Sequence, residues 1–355
     1  MSIPFSIGVL QLSMEPVRET VAMAKACEDA GFDAFWIAEA YPWWRKHGFE
    51  ARSSTAILAV IAAQTRRMQL GWGIISPYTR HPVQIVMEAR VMQDLAGERF
   101  LLGLGASKIF MKEIGEGEGE KVGPATVMRE SIEVIRGVLK GEAFEFQGKV
   151  FAASVPSLKP DAHTPRDTPK IYVAGTGPVM QKMAGSISDG LLTASITTPE
   201  FVRHSLKNMR EGAAKAGKDP SQLALGSVIV GSIGRDSAKG KEGAREQAAM
   251  YLANKVQNIK GSADELLRCA NLTFEELRPV ADAMEIGGRK AAAKAVTDDI
   301  LQKVCAIAGT PEECIARIEE YRAAGCTHIM LEIWGDDRSG QAKLFGEAVL
   351  PHFGR

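Results

Sequence analysis

GWGIISPYTRHP, residues 71–82, followed by VQIVMEARVMQDLAGERFLLGLG at 83–105, is the stretch that decides the fold. An apolar strand runs into a polar turn around Pro77, a helix opens near Pro82, and a second apolar strand ends in GLG. That is one complete βαβ passage. The polar residues stand where the first strand stops, which in a parallel barrel is the end where ligands bind.

Outward from this passage the same alternation recurs. Strand-like runs occupy 5–10, 34–37, 68–75, 100–104, 170–174, 190–193, 224–233 and 327–333, separated by helical patterns such as 17–30, stopped by Gly31. Ser53 and Ser54 cap a helix reaching Gln64, and Thr310-Pro311-Glu312-Glu313 reads as a capping box with proline at the first helical position. Eight strand–helix units predict a (β/α)8 TIM barrel, one domain over residues 1–355. Two interruptions are expected: a lid-like insertion after strand four at 141–168, and a helical insertion between strands seven and eight at 236–300.

Composition narrows the function classes. The 355 residues are 45% hydrophobic and 24% charged, with 43 basic and 43 acidic side chains, so no global field favours nucleic acid or an anionic membrane. Cys27, Cys269, Cys305, Cys314 and Cys326 lack CxxC spacing, so neither a disulfide framework nor a zinc site is expected. FSIGVLQL near the start is strand-like rather than signal-like, and no apolar run approaches a membrane span. A cytoplasmic enzyme without metal, acting on a small molecule, is the resulting expectation.

Three strand ends carry candidate chemistry. AGTGPVM at 174–180 links a strand to a helix; its glycines allow backbone N–H groups to approach an anion at a helix N-terminus, or simply make a tight turn. Gly105-Ala106-Ser107 ends strand four with small residues, suited to a ring or to close packing. At the end of strand two, Glu39 is followed by Tyr41, Trp43 and Trp44. Glu39 is an acid/base candidate beside Tyr41, or a structural carboxylate bonding the strand-three turn; Trp43 and Trp44 would wall a planar substrate pocket or cover the barrel top. Lys108, Lys112 and Lys121 form a basic loop interleaved with glutamates. His81, before Pro82, reads as a helix-start support, whereas His163 and His328 show no partner in the sequence.

Gly73, Ser76-Pro77-Tyr78, Arg80-His81-Pro82 and the Arg99–Gly105 segment together resemble the luciferase-like superfamily of flavin- and deazaflavin-dependent oxidoreductases, specifically its methylenetetrahydromethanopterin reductase-like branch. The resemblance implies a non-prolyl cis peptide at Gly73-Ile74, with Ile75 and Ser76 beside it, supporting one face of the ring. It also implies cofactor phosphate binding by Gly175, Thr176, Gly177, Pro178, Val179 and Met180. Coenzyme F420 is the implied cofactor, and the lysine loop would suit its polyglutamate tail. The alternatives are an FMN-dependent two-component monooxygenase fed by a reductase, and a flavin-binding protein without catalysis. A homodimer packed through helices two and three is implied as well. The chain departs from the branch in having Glu39-Ala40-Tyr41 where relatives carry an acid–histidine pair, and Leu10-Gln11 and Lys108 where the reductases carry acids.

Overall fold

The computed structural model describes residues 3–39, 50–106, 122–158, 168–257 and 263–354. Its strands in chain order are β1 (Ser6–Leu12), β2 (Ala34–Ala38), β3 (Gln69–Trp72), β4 (Phe100–Leu104), β5 (Phe144–Gln147), β6 (Ala152–Val155), β7 (Lys170–Ala174), β8 (Gly190–Thr193), β9 (Ala224–Ile233), β10 (Ile307–Gly309) and β11 (His328–Ile333). The helices are α1 (Val17–Ala30), α2 (Ser54–Gln64), α3 (Pro82–Ala96), α4 (Pro124–Leu139), α5 (Pro178–Ile187), α6 (Pro199–Lys215), α7 (Ser237–Gln257), α8 (Ala263–Cys269), α9 (Phe274–Ala295), α10 (Asp298–Lys303), α11 (Pro311–Ala323) and α12 (Arg338–Ala348).

β1, β2, β3, β4, β7, β8, β9 and β11 pair in parallel, and β11 closes on β1 with Gly8 opposite Met330. This is the TIM barrel that the alternation predicts. Its strands are apolar on both faces because one face meets helices and the other fills the bore; β2, β4 and β11 are buried along their whole length. Gly71 makes room for the largest bore side chain, since a Cβ there would stand 2.1 Å from the Trp36 ring.

Local signals hold where the sequence placed them. Ser53 caps α2 by accepting from the Ala56 N–H, Thr310 and Glu313 form a reciprocal capping box, and Gly31 ends α1 at φ 92°. Two differences bear on the site and the ring. β3 stops at Trp72 rather than residue 75, because the backbone turns at a cis Gly73-Ile74 peptide and rejoins β4 by a single bridge from Ile75 to Leu104. β10, which no sequence signal announced, is a three-residue strand added outside the ring on β9.

The insertions divide by packing. The described part of 141–168 is the β5–β6 hairpin, clamped on α4: Glu130 accepts from the N–H groups of Lys149, Val150 and Phe151. Its aromatic residues join the core between barrel and helices, and none joins the cluster in the bore. The 236–300 region is helical, with α7 and α9 packed on each other around Leu252, Leu277, Val280 and Ala292, a cluster that also takes in Val230 of β9 and Ala308 of β10. Among the described residues, no helix is long and apolar enough to cross a membrane.

Candidate active site

The C-terminal ends of β3, β4 and β7 lie side by side, and each carries small residues. Gly73 and Ile74 are half-buried at the first. At the second, a Cβ on Gly105 would fall 2.7 Å from the Ile74 side chain, so this glycine lets Ile74 lie flat across the end of β4. Ile75 and Ser76 are buried and act as fasteners: Ile75 donates its N–H to Gly103 and accepts from Gly105, while the Ser76 hydroxyl donates to Ala106 O at 3.1 Å. The surface left open at these strand ends is therefore that of Gly73, Ile74 and Ala106 rather than of Ile75 or Ser76. A Cβ on Gly73 would also meet Leu10 at 3.0 Å, so close packing and an open face are both served there.

At the third strand end, α5 begins with Pro178 after Gly177, with no side chain capping it. Among the described residues the N–H groups of Thr176, Gly177, Val179 and Met180 have no acceptor, and nothing lies within 4 Å of where a Gly177 Cβ would be. This cluster of free donors at a helix N-terminus matches an anion. Gly175, expected among the donors, drops out because its N–H is spent on Leu192 O within the sheet. The turn is held from beneath: Gln181 donates to Thr176 O and Ser205 Oγ, and Asn208 donates to Gln181. Small residues across two strand ends and an uncapped helix start on the third fit a flat ring carrying a phosphate.

Glu39 sits beside this cradle, its N–H donating to Ile74 O. Its carboxylate is nearly fully buried and takes a bidentate bond from Arg80, whose Nε faces Glu88 at 3.4 Å. Of the two sequence readings of Glu39, this geometry favours the structural one, since the guanidinium of the strand-three turn already holds both oxygens. His81 is the N-cap of α3, accepting from Val83 N–H, with its ring edge on Phe151 of the hairpin. Tyr41, Trp43, Trp44, Ser107, His163 and the three loop lysines lie outside the described residues.

Two ionisable groups inside the bore escaped sequence reasoning. His328 is not partnerless: Trp36 Nε1–H donates to its Nε2 at 2.7 Å and Ser6 Oγ meets its Nδ1, which fixes a neutral ring with Nδ1 as donor. Burial pulls it down to about 4. Higher on the same strand face, Glu332 accepts from Tyr251 Oη at 2.7 Å and Trp334 Nε1 at 3.2 Å. Burial pushes its carboxyl up to about 7. The signal was a lone acid in HIMLEIW, an otherwise apolar strand. Beyond Trp334 opens a cleft of about 630 Å³, lined with charged side chains such as Glu15, Lys239, Glu246 and Arg338 and braced by the Arg338–Glu15 pair; it lies away from the glycine-bearing strand ends.

A family model described as luciferase-like monooxygenase matches residues 1–328. The chain belongs to the luciferase-like monooxygenase family. It is 28% identical to a 5,10-methylenetetrahydromethanopterin reductase of Methanopyrus kandleri, over 98% of each chain. It is 26% identical to an F420-dependent glucose-6-phosphate dehydrogenase of Nakamurella multipartita, covering 94% of this chain and 91% of the other. The solved coenzyme F420 dependent tetrahydromethanopterin reductase from Methanopyrus kandleri superposes with a TM-score of 0.86 at 27% identity, over 99% of both chains.

Proposed function

We infer that this protein is an F420-dependent oxidoreductase that moves a hydride between the deazaflavin and an organic substrate at the barrel mouth. One observation carries the reading: the free N–H groups of Thr176, Gly177, Val179 and Met180 stand beside the small-residue ends of β3 and β4. Kinship with F420-dependent reductases and dehydrogenases supports the choice of cofactor. When bound, the deazaflavin supplies the two-electron hydride chemistry. The chain supplies the rest. Gly73, Ile74, Gly105 and Ala106 would support the ring, the α5 N-terminus would hold the phosphate, and the Glu39–Arg80 pair would keep the β2 end and the β3 turn in register. Trp43 and Trp44 remain the proposed substrate wall, and Tyr41 a proposed catalytic residue.

Titration of the purified protein with F420 and with FMN, read by fluorescence quenching, tests the cofactor. F420 binding followed by hydride exchange with a panel headed by methylenetetrahydromethanopterin and glucose 6-phosphate supports the reading. Preference for FMN with oxygen consumption would replace it by the two-component monooxygenase, and ring binding without turnover by a non-catalytic binding protein.

A second copy of the chain is proposed as the partner. Met87, Val91 and Leu95 form an i, i+4, i+8 stripe on α3, with Val60 exposed on α2. Such a row of exposed apolar side chains on neighbouring helices suits a self-complementary contact.

A further inference from the structure

Glu332 shares the bore face of β11 with His328 and Met330, because successive side chains along a strand alternate in direction. It lies one step below Trp334, and both its contacts, Tyr251 and Trp334, are half-buried side chains packed on the bore cluster together with Ile74 and Ala174 of the cradle. Its hydrogen-bonding partners are neutral. α7 brings Tyr251 and the buried Gln247 amide, which favours the charged carboxylate, and α9 brings Met284 and Arg289, whose guanidinium stands over the Trp334 ring; β1 and β9 bring Leu10 and Val228. Arg338 acts on it only through space, and Ser195 adds a hydroxyl near Tyr251.

Another buried glutamate, Glu130, shows what a purely structural carboxylate looks like in this chain. Three backbone N–H groups hold it, and they lower its affinity for a proton against the opposing effect of burial. Glu332 has no such donors and no salt bridge among the described residues. A carboxyl kept in an apolar bore with only neutral partners is built to hold a proton near neutral pH.

We propose that Glu332, with Tyr251 as its relay, is the proton donor and acceptor that accompanies hydride transfer, an assignment that rests on the F420 reading above. In the reducing direction the carbon of a substrate C=O or C=N bond gains the hydride from the reduced deazaflavin. The π pair moves to the heteroatom, which takes the phenolic proton of Tyr251 once that hydroxyl rotates from Glu332 towards the substrate, and Tyr251 in turn takes the proton of the protonated Glu332, leaving a carboxylate. One hydride and one proton are then accounted for, and solvent restores the carboxyl. Oxidation runs the same path backwards.

Glu332→Gln keeps an acceptor for Tyr251 and Trp334 but carries no exchangeable acid proton. The wild type should show a carboxylic C=O infrared band, present in the cofactor-free protein, that titrates near pH 7 and is missing in E332Q. With the panel member that turns over, kcat for reduction should fall above about pH 7 in the wild type, and E332Q should lose that limb with a drop of about 100-fold or more, F420 affinity being unchanged. A merely structural Glu332 would leave both the limb and the rate in place, and an infrared band that persists in E332Q would equally overturn the assignment. A wild type that fails to bind F420 or to turn over any panel member removes the function reading itself.

Discussion

Glu332 and His328 make opposite demands on folding as pH changes, and removing one should expose the other. Burial lowers His328 from the ordinary 6.5 to about 4. The unfolded chain therefore binds the proton more tightly, and the stability His328 contributes is full above pH 6.5 and lost on acidification towards pH 4. Burial raises Glu332 from 4.5 to about 7. Here the folded chain binds the proton more tightly, so the contribution is full below pH 4.5 and lost as pH rises through 7. At about 1.36 kcal/mol per pKa unit, each amounts to about 3 kcal/mol, of opposite sign over nearly the same window. In the wild type they largely cancel between pH 4.5 and 6.5. Urea unfolding of the wild type, Glu332→Gln and His328→Gln from pH 4 to 8 reads this directly, because the variant-minus-wild-type difference removes every other titration. The E332Q difference should rise by about 3 kcal/mol with pH and the H328Q difference should fall by about as much. Flat differences would refute the picture of two buried groups held in opposite protonation states.

Three other perturbations separate the parts of the site. Gly177→Asp places a carboxylate in open space at a non-positive φ; it should cap α5, raising stability by about 0.3 kcal/mol, while weakening F420 binding tenfold or more in a quenching titration. If binding survived, the phosphate would be held elsewhere. Glu39→Gln breaks the bidentate Arg80 pair and should cost about 2–3 kcal/mol in urea unfolding, with the shape of the pH–rate profile intact; a vanished limb would return Glu39 to acid/base duty. Val91→Asp puts charge in the α3 stripe and should shift a dimer to monomer in size-exclusion chromatography with light scattering, whereas a monomeric wild type would dismiss the proposed pairing.

The barrel was legible because its strands are short apolar runs bounded by glycine, and its helices carry their own caps, as at Ser53 and Thr310. Those signals are local. What escaped was set by distant partners: Glu39 meets Arg80 across 41 positions, Tyr251 meets Glu332 across 81, and Trp36 meets His328 across 292. No spacing rule ties such pairs, since barrel closure alone brings them together. The Gly175 donor failed for a related reason: whether an N–H is free depends on the neighbouring strand, which the turn itself does not encode.

The helical insertion shares its interior with the barrel edge through Val230 of β9 and Ala308 of β10, and among its described side chains it reaches the bore cluster through Met250, Tyr251 and Met284. Transplanting α7–α9 from a relative would exchange Met250 and Met284 at the bore and leave Gly73, Gly105 and Gly177 in place, so substrate choice can drift with the insertion as long as the incoming segment also carries a tyrosine at position 251.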